Sequence, residues 1–596
     1  MNDLLIQSVT VVDGTGAEPF VADVAVKDGL IVEVKRGGAI DTPTTLTINA
    51  KGAHLLPGFI DIHTHYDGQV SWDETFTPSI YHGVTTLVMG NCGVGFAPVR
   101  KGQESALVDL MEGVEEIPGS VLSDGMRWGW ESMSEYARMM DAMPHSIDFL
   151  TLVPHDALRL YVMGERASNG EQAQADDIAQ MKTLLRQALQ DGAVGLSIGS
   201  TETHRTSKGK MTPSFEVSST ELNELATAFH GLPYRVLQAV DDFAATRGAP
   251  TEEKSRFDRE YSKIEAMAQA AGRPVTISWM DRVFAPMQRK WLGDAALASE
   301  AKGVDVWLSC APRGVGVLAG LDTTMNLFVA WAGYRAIMQM PVVARAAKMR
   351  EPAVRAAILA QKPDVLSGPG STVPPVVDFV VAHIDKLAWT MFPLKQSADG
   401  VDYEPDPRSQ SIGAMAAKQG VSVIEAMYDF MCEGDGENIL YYPIYNYANG
   451  NLDIAREMLT HPKALYSLGD GGAHVGTICD ASSTTTLLAH WTQQRVRGDK
   501  ISLPLAVEML SSRNAKFLGL NDRGTITVGK RADLNLVDLA KLSLPKPEIV
   551  RDLPAGGRRI VQKANGYIAT FVHGKAITQN GEITNERPGR WVSAKC

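Results

Sequence analysis

Short apolar segments alternate with helical patterns from about residue 57 to about residue 515, and this rhythm constrains the fold more than any other feature. The apolar segments, among them TTLVMG, FLTLVP and VTISW, have the length and composition of buried strands. In one complete unit a helix is predicted from Asp176 or Asp177 to Gly192, and the strand AVGLSI follows it. Apolar residues of this helix recur at spacings of three and four: Ile178, Met181, Leu185 and Leu189. A succession of such βα units predicts an α/β fold of the (β/α)₈ barrel type.

Both ends of the chain instead have the sequence pattern of short strands joined by turns. The segments VTVVDGTG and VADVAVKDGLIVEVKRG near the start, and GTITVGKRADLNLVDL and GYIATFVHGKAITQNGE near the end, combine β-branched residues with glycine-containing turns. Because the two ends have similar sequence patterns, we predict that they pair into one small β-sandwich beside the barrel. The predicted organisation is therefore 1–56 and 516–596 for the sandwich and 57–515 for the barrel.

The stretch 281–463 is too long for a single βα unit. It contains the Pro- and Gly-rich piece SGPGSTVPPVV, and also a helix-start signal in which Ser422 precedes Glu425 by three residues. We predict an insertion within about 281–463 that lies over the barrel mouth.

Composition and charge exclude several classes of function. The formal net charge is −12 and we find no clustered basic face, so nucleic-acid binding is not expected. The sequence has no apolar run of about 18 residues that could span a membrane and no secretion signal at its start. The cysteines are scattered and odd in number, which is typical of free thiols in a reducing compartment: Cys92, Cys310, Cys432, Cys479 and Cys596. We therefore expect a cytoplasmic protein that acts on a small molecule; a homo-oligomer is compatible with the sequence.

The strongest chemical signal is the segment LLPGFIDIHTHYDGQ, in which an apolar strand ends in His63 and His65. Alternate residues of a strand face the same side, so both imidazoles point together from the carboxyl end of the first predicted barrel strand. A single buried histidine usually has a structural role, whereas this pair at this place indicates a metal site.

These residues carry a resemblance to a known family. The run from Leu56 to His65, together with GTITVGKRADLNLVDL, resembles the amidohydrolase superfamily. Because these segments lie near the two ends, the resemblance spans nearly the whole chain. Within that superfamily GNCGVGFAP, VPHDALRLYVMG and GAVGLSIG are similar to the N-acyl-D-amino-acid deacylases, or D-aminoacylases. The resemblance implies a (β/α)₈ barrel with a β-sandwich, and a metal centre with a cysteine after the second strand and an aspartate after the last.

Two residues match the positions that the resemblance implies. Cys92 follows the second predicted strand, and Asp470 lies after the apolar run ALYSLG and before GGAH. Each has an alternative interpretation, because Cys92 fits a small buried residue in a glycine-rich turn and Asp470 fits a turn cap. With His63 and His65 they form the predicted ligand set, in which Asp470 is also the predicted catalytic base.

The sequence also departs from the family pattern. Where the resemblance implies two further histidines after the fifth and sixth strands, the corresponding segments read VLQAVDD and ISWMDR, with Gln238 and Trp279 near those positions. We therefore predict about one divalent ion per chain. The family's His-Pro-Arg after the last aspartate is replaced by GAHVGTICDASS, so an arginine that recognises an α-carboxylate is not implied here.

Three further histidines are candidates for substrate binding. His155 matches the family's histidine after the third strand, and an ordinary loop hydrogen bond is the alternative. His204 follows the strand GLSIGS in a basic stretch that is equally compatible with a solvated loop. His474 lies four residues after Asp470, where it would polarise a carbonyl, orient the aspartate or serve only the local structure.

The sequence as a whole predicts a hydrolase that cleaves a C–N acyl bond of a small-molecule amide. Zn²⁺ is the expected ion, because it accepts nitrogen, oxygen and sulfur ligands. Two alternatives stay open. One is a related hydrolase for a lactone, a carbamate or a cyclic amide, and the other is a non-catalytic metal-binding barrel.

Overall fold

A sheet of eight parallel strands forms the centre of the molecule and curves into a nearly closed barrel, which confirms the predicted fold class. The structure is a computed structural model that describes residues 1–367 and 375–594. The strands are Phe59–Asp61, Val84–Met89, Asp148–Pro154, Gly195–Ser200, Val236–Asp241, Val275–Ser278, Val306–Cys310 and Ala464–Tyr466. They follow one another around the barrel in chain order.

The seam between the first and eighth strands is bridged by a side chain. The buried Asn514 amide donates hydrogen bonds from Nδ2 to the carbonyl of Ile60, at 2.8 Å, and to that of Tyr466, at 2.9 Å. A buried carbonyl without a partner is unfavourable, so this amide stabilises the two edge strands.

Helices follow the strands as the alternating pattern predicts. They are Glu104–Glu115, Gly119–Gly125, Met133–Asp141, His155–Met163, Glu165–Ser168, Ala175–Asp191, Ser219–Ala226, Glu253–Ala271, Pro286–Ala301, Asp453–Leu459, Ser483–Ala489, Leu503–Leu510 and Ser512–Leu518. The helix predicted from Asp176 or Asp177 is Ala175–Asp191; its four predicted apolar positions are buried, and Gly192 follows it. No helix in the described part of the chain is long and apolar enough to cross a membrane.

A separate helical unit lies between the seventh barrel strand and the helix Asp453–Leu459. Its helices are Ala332–Arg335, Val342–Arg350, Pro352–Leu359, Pro375–Ala382, Ile384–Leu387, Pro407–Gln410, Ile412–Gln419 and Val423–Cys432. Its strands are Val315–Gly320, Phe392–Pro393, Gln396–Ser397, Gly400–Val401 and Ile439–Tyr445. The unit has its own apolar cluster, and the amide of Leu318 donates to the carbonyl of Thr477, in the loop after the eighth barrel strand. Residues 368–374 of the predicted insertion lie outside the described residues, as does Cys596.

The two chain ends share one nine-stranded sheet. Its strands are Asn2–Val11, Phe20–Lys27, Leu30–Arg36, Thr44–Asn49, His54–Pro57, Leu534–Val537, Tyr567–Val572, Lys575–Gln579 and Glu582–Ile583. The strand His54–Pro57 joins the halves, because it is parallel to Asn2–Val11 and antiparallel to Leu534–Val537. A two-stranded hairpin, Glu548–Leu553 with Gly557–Val561, lies outside this sheet. The exact domain boundaries stay a prediction.

Gly58 connects this sheet to the barrel. It separates His54–Pro57 from the first barrel strand, and its amide donates to the carbonyl of Asp533 at 2.7 Å. A Cβ atom at this position would lie 2.2 Å from Oγ1 of Thr85, so only glycine fits. The Pro-Gly-Phe motif therefore connects the terminal sheet directly to the first barrel strand, which is followed by His63 and His65.

Candidate metal centre

His63 and His65 lie just beyond the first barrel strand, and both are buried. Their loop is held against the loop after the eighth strand, because the Asp470 amide donates to the His63 carbonyl at 3.1 Å and the His65 amide donates to the Gly471 carbonyl at 2.8 Å. The backbone of the first strand therefore positions Asp470 beside both imidazoles.

Three donor atoms converge at this point. Sγ of Cys92 lies 3.3 Å from Nε2 of His63 and 4.0 Å from Nε2 of His65. In residues 1–367 and 375–594, this trio is the one group of at least three His, Cys, Asp or Glu side chains whose donor atoms all lie within 4.8 Å of one another. Two imidazole nitrogens and one thiol sulfur at this separation are a ligand set that suits Zn²⁺.

Cys92 takes a left-handed conformation, with φ of 58°, in the turn after the second strand. Its amide donates to Oε1 of Gln238 at 2.9 Å, so Gln238, which lies near a position where the resemblance implies a histidine, holds the cysteine turn. Burial, followed by the charges of Glu115, Asp470 and Asp67, raises the pKa of the Cys92 thiol well above its ordinary value. A thiolate is stable at this site only with a cation beside it.

Asp470 faces both imidazoles through one oxygen. Its Oδ1 lies 3.5 Å from Nε2 of His63 and 3.8 Å from Nε2 of His65. Burial, the largest effect, raises the pKa of Asp470 to about 7; His474 lowers it, and Asp480 and Asp61 raise it. A carboxyl that changes protonation near neutral pH is suited to proton transfer, and a bound cation would favour its ionised form.

His474 is held between two glutamates that the sequence analysis missed. Its Nδ1 lies 3.2 Å from Oε2 of Glu116, and its Nε2 lies 3.6 Å from Oε2 of Glu115. Burial alone would lower the pKa of His474, but the hydrogen bond and charge of Glu116, with the charges of Glu115 and Asp470, raise it to about 10. These carboxylates favour the protonated form of His474, which would place a positive charge near Asp470.

The sequence does contain a signal for these glutamates. Glu115 is the last residue of the helix Glu104–Glu115, whose last turn has no basic residue, and Glu116 follows with φ of 52°. Carboxylates at a helix C-terminus are opposed by the helix dipole, so such a pair indicates compensating positive charge elsewhere in the fold.

His204 is partly buried in the loop after the fourth strand. Burial and the charge of His474 lower its pKa to about 3, so the ring is neutral, and its Nδ1 has no hydrogen-bond partner among the described residues. Lys208 in the same stretch is exposed and forms an ion pair with Asp109. The loop thus has a solvated basic side, and a contact of His204 with substrate stays a prediction.

His155 is buried at the start of the helix His155–Met163. Its Nε2 lies 2.8 Å from Oε1 of Glu221, whose other oxygen pairs with Arg159. Burial would raise the pKa of Glu221, but the hydrogen bond and charge of His155, together with Arg159, lower it to about 2. The structure places His155 in this buried network, and its predicted contact with substrate is untested.

The variant Glu221→Gln is expected to lose stability, by about 3 kcal/mol or more, because Arg159 would be left buried without a charged partner. Since the folded-state pKa of Glu221, about 2, lies below the unfolded value of about 4.3, its stabilising contribution is complete above about pH 5 and is lost as the pH falls toward 2. Denaturant unfolding of both proteins over a pH series tests this. A stability difference that stays constant on acidification would contradict it.

Trp279 is buried after the sixth strand, and its Nε1 donates to the carbonyl of Arg289 at 2.9 Å. Its ring packs edge-on against His461, with 5.2 Å between the ring centroids. An indole offers no metal-binding lone pair, so this position supplies no ligand.

A small cavity of about 20 Å³ adjoins Asp470. Its lining includes Gln69, Asp470, Val475, Ile478, Arg559 and Ile560. Arg559 is not free to bind a substrate carboxylate, because Nε donates to Asp552 and Nη1 donates to the carbonyl of Thr77.

The chain matches known proteins over most of its length. A family model described as the amidohydrolase family matches residues 46–577. An uncharacterized protein of Mycobacterium tuberculosis is 25% identical, in an alignment that covers 99% of this chain and 96% of that protein. The N-acyl-D-aspartate deacylase of Alcaligenes xylosoxydans is 34% identical, but the match covers only 33% of this chain and 36% of the deacylase.

Solved structures share the fold. A D-aminoacylase described with a binuclear metal center superposes over 100% of both chains with a TM-score of 0.63 and 21% identity. The N-acyl-D-glutamate deacylase of Bordetella bronchiseptica, in complex with zinc and a phosphonate inhibitor, superposes over 99% of both chains with a TM-score of 0.60 and 19% identity. At these identities the likeness concerns the architecture.

Proposed function

Since the chain belongs to the amidohydrolase family, we propose that it is a metal-dependent hydrolase that cleaves the C–N acyl bond of linear amides of the N-acyl amino acid type. One observation carries the proposal. The donor atoms of His63, His65 and Cys92 converge within 4.8 Å of one another, and a carboxylate oxygen of Asp470 lies 3.5 Å from His63.

The donor set fits a divalent ion. His63, His65 and Asp470 would hold it, with Cys92 as the sulfur ligand, and Zn²⁺ is the ion that such a mixed set prefers. When bound, the ion supplies a Lewis acid that activates water and polarises the scissile carbonyl.

The residues of the chain would handle the protons. Asp470 would accept the proton of the attacking water and return it to the leaving amine, because an amide nitrogen is a poor leaving group until it is protonated. The imidazolium of His474, which lies between Glu115 and Glu116, would place positive charge near the oxygen that becomes negative in the transition state.

Recognition of the amine half of the substrate depends on the residues near Asp470. Two relatives that match a third of the chain are an N-acyl-D-aspartate deacylase and a D-aminoacylase. This chain has GAHVGTICDASS in place of the family's His-Pro-Arg, and Arg559 beside Asp470 is already paired. Amides with an uncharged amine half therefore belong in the same test.

The decisive experiment measures amine release from matched N-acyl-D-amino acids, N-acyl-L-amino acids and amides without a carboxylate. Zn²⁺-loaded protein should hydrolyse at least one series, and chelator-treated protein should not. Hydrolysis of lactones, carbamates or cyclic amides alone would replace the proposal by a related activity. Tight metal binding without any hydrolysis would favour the non-catalytic barrel.

We expect about one tightly bound divalent ion per chain, because Gln238 accepts the Cys92 amide and Trp279 offers no ligand atom. Elemental analysis after dialysis against metal-free buffer measures this ratio. Two equivalents retained with similar affinity would contradict it.

Cys92→Ser tests the sulfur ligand. Serine keeps the size of the side chain, but its hydroxyl is a poor metal ligand. Loss of a residue that only hydrogen-bonds to a ligand already weakens metal binding by about tenfold or more, so loss of the ligand itself should weaken it at least as much. Chelator competition measures it, and Cys432→Ser, at a buried cysteine of the separate helical unit, is the control. Parental affinity in Cys92→Ser would make Cys92 a turn residue only.

A further inference from the structure

Glu115 faces the side of His65 that is turned away from the other ligands. Its Oε1 lies 3.3 Å from Nδ1 of His65, while Nε2 of the same ring lies 4.0 Å from Sγ of Cys92 and 3.8 Å from Oδ1 of Asp470. Both Glu115 Oε1 and His65 Nδ1 are buried, and neither has a hydrogen-bond partner among the residues that the structure describes. Two buried polar atoms without other partners therefore face each other.

This arrangement has a clear use in a metal site. An imidazole that binds an ion through Nε2 carries its proton on Nδ1, and a carboxylate at Nδ1 then fixes the tautomer and the ring orientation and makes Nε2 a stronger ligand. With an ion on Nε2, Oε1 of Glu115 is the acceptor within reach.

The fold holds Glu115 firmly in this place. Its carbonyl accepts a hydrogen bond from the amide of His474, and its Oε2 lies 3.6 Å from Nε2 of the same histidine. Its helix is pressed against the loop that follows the fourth strand, because a Cβ at Gly113 would lie 2.1 Å from the carbonyl oxygen of Arg205. The end of the helix that carries Glu115 therefore packs between the loops that follow the fourth and eighth strands.

We propose that Glu115 is the positioning residue of the metal centre, which orients His65 through Nδ1 and links this ligand to His474 and so to the loop of Asp470. The inference rests on the proposed metal-dependent function, since it assigns a partner to one of the proposed ligands. It adds a residue from the region between the second and third strands to a site whose other residues follow the first, second and eighth strands.

The test compares Glu115→Gln with Glu116→Gln. The first variant keeps the shape of the side chain but replaces the carboxyl group that faces His65 with an amide, whereas the second makes the same change at the neighbouring glutamate, which contacts only His474 Nδ1 in this cluster. Affinity for Co²⁺ is measured by chelator competition, and the visible spectrum of the Co²⁺-loaded proteins reports the ligand field. Glu115→Gln should bind Co²⁺ about 10- to 100-fold more weakly than the parent, with a shifted spectrum. Glu116→Gln should keep the parental affinity and spectrum.

Each outcome has one meaning. Parental Co²⁺ affinity and spectrum in Glu115→Gln would overturn the role of Glu115, while a parent protein that binds no Co²⁺ would overturn the proposed function itself. Equal losses in both variants would mean that the charge of the cluster matters and the contact with His65 does not. If Glu115→Gln fails to fold, as judged by circular dichroism of the metal-free protein, Glu115→Asp is used. That variant keeps the charge but withdraws the carboxylate, so it should also weaken binding and shift the spectrum, and parental values would again overturn the proposal.

Discussion

Replacing His63 with alanine should abolish tight metal binding and lower amide hydrolysis by about 10³-fold or more. The size follows from the several kcal/mol of transition-state stabilisation that a catalytic metal supplies, at about 1.4 kcal/mol for each factor of ten. His63 is the ligand whose Nε2 lies near both other functional groups, at 3.3 Å from the Cys92 sulfur and 3.5 Å from Asp470 Oδ1. Metal content by elemental analysis and turnover with a hydrolysed amide are measured on the same preparation.

The control for this variant is His230→Ala. His230 is exposed, and its Nε2 contacts the carbonyl of Ala270, so its removal should leave metal content and turnover at parental values. Because loss of a bound ion itself lowers the unfolding temperature, circular dichroism of the metal-free proteins is used to show that both variants fold. Parental metal content in His63→Ala would refute the assignment of the metal centre.

The barrel and its first two ligands could be predicted because they depend on local patterns. Strand and helix alternation is visible within short windows, and the helix found at Ala175–Asp191 begins within two residues of the predicted start. The shared direction of His63 and His65 follows from the two-residue repeat of a strand. The capping box at Ser422 and Glu425 is likewise local, and the structure has it at the start of Val423–Cys432.

Contacts between distant segments could not be read in this way. Cys92 and Asp470 have no local pattern that marks a ligand, and only the family resemblance pointed to them. Their proximity to His63 depends on barrel closure, which brings the second and eighth strands to either side of the first. The Asn514 amide at the seam and the Gln238 contact with the Cys92 turn have the same origin.

The missed glutamates illustrate a different limit. The spacing of apolar and polar residues in a helix predicts which side chains face the core and which face the solvent. Glu115 fits neither group, because it is a buried carboxylate at the C-terminal end of a helix, where the helix dipole disfavours negative charge. Its surroundings, His65 and His474, come from the first and eighth loops. Residues that violate a local preference are often found at functional sites. The two glutamates at the C-terminal end of this helix were therefore the signal in the sequence.

The proton-transfer role of Asp470 can be separated from its role as a ligand by Asp470→Asn. Asparagine keeps the shape and one oxygen able to contact the ion, but it has no charge and cannot carry the proton. Turnover of an unactivated amide should fall by about 10²-fold or more even in metal-reloaded protein, the usual scale for losing general acid–base catalysis. Metal affinity should fall less than in His63→Ala, because the carboxamide oxygen can still bind.

A second substrate makes this experiment decisive. An activated ester has a leaving group that needs little protonation, so Asp470→Asn should lose less activity with the ester than with the amide, since only the water-activating half of the role is missing. Asp499→Asn, at an aspartate whose side chain is 83% exposed, is the control and should match the parent with both substrates. Equal losses with ester and amide would assign Asp470 to metal binding and water activation alone. Near-parental amide turnover would place the proton shuttle elsewhere, with His474, four residues along the same loop, as the next residue to replace.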